Sequence, residues 1–319
     1  MPVCLYYYRT RRPFPVMLLE AVPNVSEGRD TETISALSGS VSRSPAASLL
    51  DCSSDPDHHR SVLTLAGSAE GVEEALLGLY REAIDRIDLA LHEGVHPRIG
   101  AVDVVPFVPL GEATMDVAVE AARTLAKIVA RRFDLPVFLY GEAGRNPRWR
   151  LPAGIRRVGL GELGKLLARD PAWAPDFGPR RLHPTAGATL IGARGPLIAF
   201  NAVLASDHLD RARFLARALR ESSGGLPAVQ AIGVPLARRG RVQVSMNLLD
   251  FRRTSPLTVV RRLRQLASGI GEEVVETEIV GLVPRAALEG TSPRELGLRG
   301  FDESKFLEAR LARAGLIQG

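Results

Sequence analysis

Apolar positions along this chain recur with two periods. Short blocks such as Val16–Val22, Ala47–Cys52, Arg60–Gly67 and Val102–Val108 are dense in aliphatic residues and bounded by Gly, Pro, Asn or Asp, as buried strands are. Between them lie longer stretches in which apolar residues return every three or four positions. Behind Ser68, an N-cap residue, Val72, Leu76, Leu79, Ile84, Ile87 and Leu91 fall close to helical spacing. Asp30 or Thr31 caps another helix, over residues 32–43. The order is strand, helix, strand, strand, helix, strand. Thr114 or Asp116 then starts a helix to about Phe133, and Pro136–Tyr140 reads as a short buried strand.

From Gly141 to Gly187 the rhythm breaks into a Gly-, Pro- and Arg-rich stretch with one predicted helix at residues 161–169. Irregular segments of that length are usually functional or act as linkers. The first pattern then returns. Leu197–Leu204 predicts a strand, Ser206 or Asp207 caps a helix to about Arg220, and strands Val229–Pro235 and Val242–Leu248 meet at Arg238-Arg239-Gly240. Ser255-Pro256 opens a helix to about Ala267, Val274–Val280 predicts a strand, and a last helix spans residues 302–315. The fold class is α+β: two tandem ferredoxin-like (βαββαβ) subdomains with antiparallel sheets and helices on the outer faces. The expected division is a disordered extension over 1–16, a first subdomain over 17–178, and a second over 179–319 that includes the connecting stretch.

Composition narrows the function. With 319 residues, 45% hydrophobic, and no apolar run of membrane-spanning length, no membrane partner is expected. The net charge is +5, and the only lysines are Lys127, Lys165 and Lys305, so the basic charge is almost all arginine. These arginines are scattered, and only 5% of residues are aromatic, which argues against a surface that stacks nucleic acid and leaves small carboxylates as anionic partners. The two cysteines, Cys4 and Cys52, suit a reducing, cytoplasmic setting, and the residues before Met17 lack the order of a signal peptide.

Candidate chemistry concentrates where the second predicted helix meets the fourth strand, in His92-Glu93-Gly94-Val95-His96-Pro97-Arg98-Ile99-Gly100. Read literally, His92-Glu93-x-x-His96 fits the zinc-hydrolase pattern, which needs an unbroken helix through both histidines. Gly94 and Pro97 oppose that helix, and Ile99 and Val102 stand where the extended pattern wants Gly and His. The other reading makes His96 a lone acid/base on a rigid loop. Asn24 and Glu27 follow the first strand, where ligands often sit. Asp51 opens a polar loop running to His58-His59-Arg60, suited to hydrogen-bonding a polar substrate. The turn-rich run Gly178-Pro179-Arg180-Arg181-Leu182-His183-Pro184-Thr185-Ala186-Gly187 lets a flat ligand approach the backbone, with Arg194 following. There is no Walker or dinucleotide-binding glycine motif.

Several of these stretches, taken in order, resemble the formiminotransferase family. They are Pro23-Asn24-Val25-Ser26-Glu27-Gly28-Arg29; His96-Pro97-Arg98-Ile99-Gly100-Ala101-Val102-Asp103 with Pro106-Phe107; Leu139-Tyr140-Gly141-Glu142-Ala143; Trp173-Ala174-Pro175-Asp176-Phe177-Gly178-Pro179; Asn247-Leu248-Leu249-Asp250-Phe251; and Val280-Gly281-Leu282-Val283-Pro284. The likeness runs from about Met17 to Pro284. It implies transfer of a formimino group from N-formimino-L-glutamate to tetrahydrofolate as co-substrate, with His96 as catalytic residue, Gly178–Gly187 as folate-binding stretch, and Arg60, Arg98 and Arg194 as clamps for carboxylates. Asn24, Glu27, Asp51 and Asp103 join the implied substrate- and folate-binding set, with no metal. The resemblance further implies a homodimer and, for any later deamination, a separate cyclodeaminase. A zinc hydrolase, a non-catalytic module binding folate or RNA, and a formyl rather than formimino donor stay open.

Overall fold

A computed structural model describes residues 17–93 and 97–318; the expected extension over 1–16 and the candidate His96 lie outside the described residues. The chain opens with β1 (Leu19–Ala21) and β2 (Asn24–Val25), followed by α1 (Thr31–Ser42), β3 (Ala47–Asp55), β4 (Arg60–Gly67), α2 (Ala69–Arg86) and β5 (Val102–Pro109). β1 and β2 act as one interrupted strand, each pairing antiparallel with both β4 and β5. Next come α3 (Met115–Phe133), β6 (Val137–Gly141), the short α4 (Ala153–Arg156), α5 (Gly159–Arg169) and β7 (Thr189–Ala193). The first sheet runs β3-β4-β1/β2-β5-β7-β6. The second half holds β8 (Ile198–Leu204), α6 (Leu209–Leu219), β9 (Val229–Leu236), β10 (Arg241–Leu248), α7 (Pro256–Gly269) and β11 (Val274–Val280), then α8 (Pro293–Leu296) and α9 (Leu307–Arg313). Its sheet runs β11-β8-β10-β9, antiparallel throughout.

The protein is α+β with two sheets. The expectation of antiparallel pairing alone fails at one edge of the first sheet, where β7 pairs parallel with both β5 and β6. β7 lies between the irregular stretch ending at Gly187 and the strand expected from Leu197, where no strand is expected, and its Thr189–Ala193 joins the first sheet from beyond the division expected at residue 178. α2 ends at Arg86 rather than near Leu91. A separate one-turn helix, Leu89–Leu91, follows, and Leu91 is 82% exposed instead of packed. The cap of α6 is His208, not Ser206 or Asp207, whereas Asp30, Ser68, Thr114 and Ser255 cap as predicted.

Helices α1, α2 and α3 bury Leu37, Leu76, Leu79 and Val129 against one face of the first sheet, on Leu19, Leu63, Leu65 and Phe107. Helices α6 and α7 cover the second sheet in the same way, Leu215 and Leu263 meeting Phe200 and Val244. The irregular stretch between the halves is pinned by a small aromatic core. Trp149 sits edge-on to Phe138 at 5.1 Å between ring centres and 6.0 Å from Trp173, over Leu163 and Leu167.

Candidate functional site

Side chains alternate across a strand, so the burial of one face exposes the other. On the first sheet the uncovered face presents Glu20, Val22 and Asn24, with Val62 and Thr64 on β4 and Val104 and Pro106 on β5. On the second it presents Ala199, Gln230, Ile232, Ser245, Asn247 and Val280. These faces enclose a cavity of about 640 Å³, walled at the side by Tyr140–Glu142, Arg150–Arg157 and Arg194–Leu197.

Its charge is mostly guanidinium. Arg60, Arg150, Arg156, Arg157, Arg194 and Arg220 all line it. Four are tethered: Arg150 to Glu142 at 2.7 Å, Arg156 to Asp103 at 2.5 Å, Arg194 to the Gly195 carbonyl at 2.9 Å, and Arg220 to the Ser223 hydroxyl at 2.7 Å. The Arg60 side chain makes no hydrogen bond or close ion pair with a described residue. Burial, and then the charge of Arg156, push its pKa down to about 10, against the pull of Asp55, Asp103 and Glu278. It stays a cation at neutral pH. A half-buried guanidinium of this kind fits a carboxylate in two parallel hydrogen bonds.

The segment flanking His96 is fixed on both sides. Asp103, 4% exposed, accepts the Ile99 N–H at 2.7 Å and the Arg156 guanidinium, so one carboxylate ties the loop to the cavity wall. Arg98 donates to the carbonyls of His58 and His59, both at 2.9 Å, and lies 2.5 Å from His92 Nε2. His92 stacks on His59 at 3.9 Å. Burial, and then the Arg98 charge, push the His92 pKa down to about 4, so it is neutral. His59 reaches the Glu93 carbonyl with Nδ1 and Glu27 Oε1 with Nε2. Gly100 bridges to Gly187, and a Cβ on Gly100 would run into the Ala188 carbonyl oxygen. The zinc pattern loses its premise here: α2 stops six residues before His92, and the Nε2 of His92 faces a guanidinium.

The expected site residues therefore separate. Asn24, Arg60 and Arg194 line the cavity. Asp103 and Arg98 hold the loop, and Glu27 gathers the amides of Gly28, Arg29 and Asp30 on Oε1 at 2.7–3.0 Å. Burial opposes ionisation of Glu27, but the amides of Asp30 and Arg29 hold its pKa below the usual carboxylate value. Asp51 lies elsewhere, with Lys305 at 3.8 Å and Arg310 at 3.9 Å. The run from Gly178 to Gly187 does not line the cavity. Its Ala186 carbonyl receives the Ala101 N–H, Ala188 N donates to Ile99, His183 Nδ1 accepts from Ala186 N at 3.0 Å, and Arg181 pairs with Asp134 at 2.5 Å. Arg180 donates to the Leu167 carbonyl, and Leu182 packs on the small aromatic core. Sequence reasoning missed Glu20, Arg156 and Arg157. A lone carboxylate inside the apolar run Leu18-Leu19-Glu20-Ala21-Val22 was the available signal for the first.

An α+β protein with a concave, arginine-lined cavity between two sheets is suited to a small anionic ligand. The chain belongs to the formiminotransferase family. The family profile described as the formiminotransferase domain, N-terminal subdomain, matches residues 18–194, and that described as the formiminotransferase domain matches residues 199–292. It is 39% identical over 289 residues to the glutamate formimidoyltransferase of Streptococcus pyogenes, covering 90% of this chain and 96% of the relative. Against the glutamate formimidoyltransferase of Thermoplasma acidophilum it is 39% identical over 303 residues, covering 94% and 99%. The formimidoyltransferase-cyclodeaminase of Sus scrofa is 42% identical over 278 residues, 85% of this chain but 51% of that longer protein.

Proposed function

We infer that this chain transfers the formimino group from N-formimino-L-glutamate to tetrahydrofolate, giving 5-formiminotetrahydrofolate and L-glutamate. The observation that carries it from the structure is the cavity: both substrates bear carboxylates, and its lining brings the guanidinium of Arg60, which no described residue pairs, together with that of Arg194, held by the Gly195 carbonyl at 2.9 Å. Nitrogen 5 of the reduced pterin attacks the amidine carbon, a tetrahedral intermediate forms, and the bond from that carbon to the glutamate nitrogen breaks. That nitrogen must gain a proton to leave, while the attacking nitrogen loses one. His96 serves as the shuttle; of the described residues that follow it, Ile99 is held by Asp103 and Arg98 by the His59 carbonyl. Tetrahydrofolate is the co-substrate, and Gly178–Gly187, the proposed folate-binding stretch, packs against Ile99–Ala101 rather than lining the cavity. Each half is read as ferredoxin-like, supported by the matching β3-β4-β1-β5 and β9-β10-β8-β11 orders. The boundary between them falls at residues 194–197. The cytoplasm is the proposed setting, a homodimer the proposed assembly, and a separate cyclodeaminase the proposed consumer of the product; among the described residues no helix is long and apolar enough to cross a membrane.

The test is direct. Purified protein is mixed with both substrates and 5-formiminotetrahydrofolate is followed by absorbance, with His96→Ala alongside. The variant is expected to lose roughly 10²- to 10⁴-fold in kcat. Full turnover in the variant removes His96 from the mechanism, and no turnover in the unaltered protein removes the reaction. Sedimentation showing a monomer alone would remove the dimer.

A further inference from the structure

Glu20 is out of keeping with its surroundings. It sits on β1 opposite Ala66 and Val108, faces the cavity, and is 7% exposed. Its carboxyl accepts no hydrogen bond from a described residue. The other carboxylate lining the cavity, Glu142, is half-exposed and already paired with Arg150. Charges near Glu20 come from Arg194 at the end of β7 and Glu308 on α9. Burial outweighs the attraction of Arg194 and raises the Glu20 pKa to about 7. A buried carboxyl with no partner costs folding free energy, and such groups concentrate where a ligand completes them.

We propose that Glu20 is a specificity-determining residue that receives a planar N–C–N edge carrying two N–H donors. A carboxylate presents two oxygens at the spacing of such an edge, and the pairing is bidentate and charge-assisted. Among the carboxylates of the described lining, Glu142 is already paired with Arg150, which leaves Glu20 as the charged acceptor for a ligand's donor face. The inference rests on the transferase reading, under which two sources bring this chemistry: the amidinium of N-formimino-L-glutamate and the 2-amino-4-oxopyrimidine edge of tetrahydrofolate. Glutamine keeps the shape of Glu20 but turns one acceptor into a donor, which sets two N–H groups face to face.

The experiment is calorimetric titration of each substrate separately into the unaltered protein, Glu20→Gln and Glu20→Asp, with turnover measured in parallel. Glu20→Gln is expected to weaken one ligand by on the order of tenfold to a hundredfold while sparing the other, with Glu20→Asp in between. Weakened N-formimino-L-glutamate assigns the amidinium. In that case the preference for the formimino over the formyl donor narrows in Glu20→Gln, because an amide can donate to a formyl oxygen. Weakened tetrahydrofolate assigns the pyrimidine edge. Unchanged affinity for both, or equal loss of both, overturns the pairing. Glu20-dependent binding without turnover in the unaltered protein would remove the transferase reading and leave the pairing standing. Full turnover and both affinities in Glu20→Gln would do the reverse.

Discussion

The two halves share an order of elements and a strand order, yet face the cavity with different chemistry. The first half and the segment leading out of it contribute Glu20, Arg60, Arg150, Arg156, Arg157 and Arg194; the second contributes one guanidinium, Arg220, beside the neutral groups of Gln230, Ser245 and Asn247. The 640 Å³ cavity takes its lining from both halves. A repeated topology thus makes a container only when its two open faces meet, and chemistry needs to be installed on one wall while the other closes the volume and excludes water.

The sharpest way to break this contrast is to cut the brace of the charged wall. Asp103→Ala leaves the Arg156 guanidinium and the Ile99 N–H without their acceptor, and a broken buried pair costs about 3–5 kcal/mol. Urea unfolding should show that loss; an unchanged midpoint would mean the brace is ornamental. Arg60→Ala should preserve stability better but lower kcat/KM by roughly tenfold to a hundredfold through substrate carboxylate binding. On the neutral wall, Asn247→Ala should cost about fivefold or less. Equal losses on the two walls would erase the distinction drawn between them.

Proton linkage separates two ends of the first half with opposite signs. His92 has its folded pKa depressed from 6.5 to about 4, so its contribution to stability is present above pH 6.5 and lost as pH falls toward 4. Glu20 has its folded pKa raised from 4.5 to about 7, so its contribution is present below pH 4.5 and lost as pH rises through 7. Glu20→Gln should therefore raise Tm relative to the unaltered protein at pH 8 and not at pH 4.5, by a few degrees at most. A gain of equal size at both values would refute the assignment of the raised pKa.

How far the sequence foretells this molecule depends on the range of the interaction. Helix starts at Asp30, Ser68 and Ser255 were legible because a cap bonds within three residues; Thr114 holds the cap position of α3 without such a bond. The end of α2 was not: Ile87 and Leu91 continue the apolar spacing, but Leu89 is captured by the Thr185 carbonyl, nearly a hundred residues away. β7 escaped because a parallel strand needs partners from distant crossovers, here β5 and β6. Arg60 and Arg194 were found as cations beside strand ends. Arg98 looked the same in sequence, yet it donates to two carbonyls of the β3–β4 turn, a fate that only the fold decides.

The connection between the halves has a mechanical meaning. Only residues 194–197 separate β7 from β8, a tether of about 14 Å at full stretch, and its residues line the cavity themselves. At the other end of the chain, α9 rests Leu307 and Leu311 on Leu50 and Ala66 of the first sheet, with Arg310 near Asp51. The Arg238 N–H adds a further tie, to Asp57 Oδ1 at 3.2 Å. Any rocking that widens the mouth must turn about the short tether and drag Arg194 with it, so access and grip are geared together.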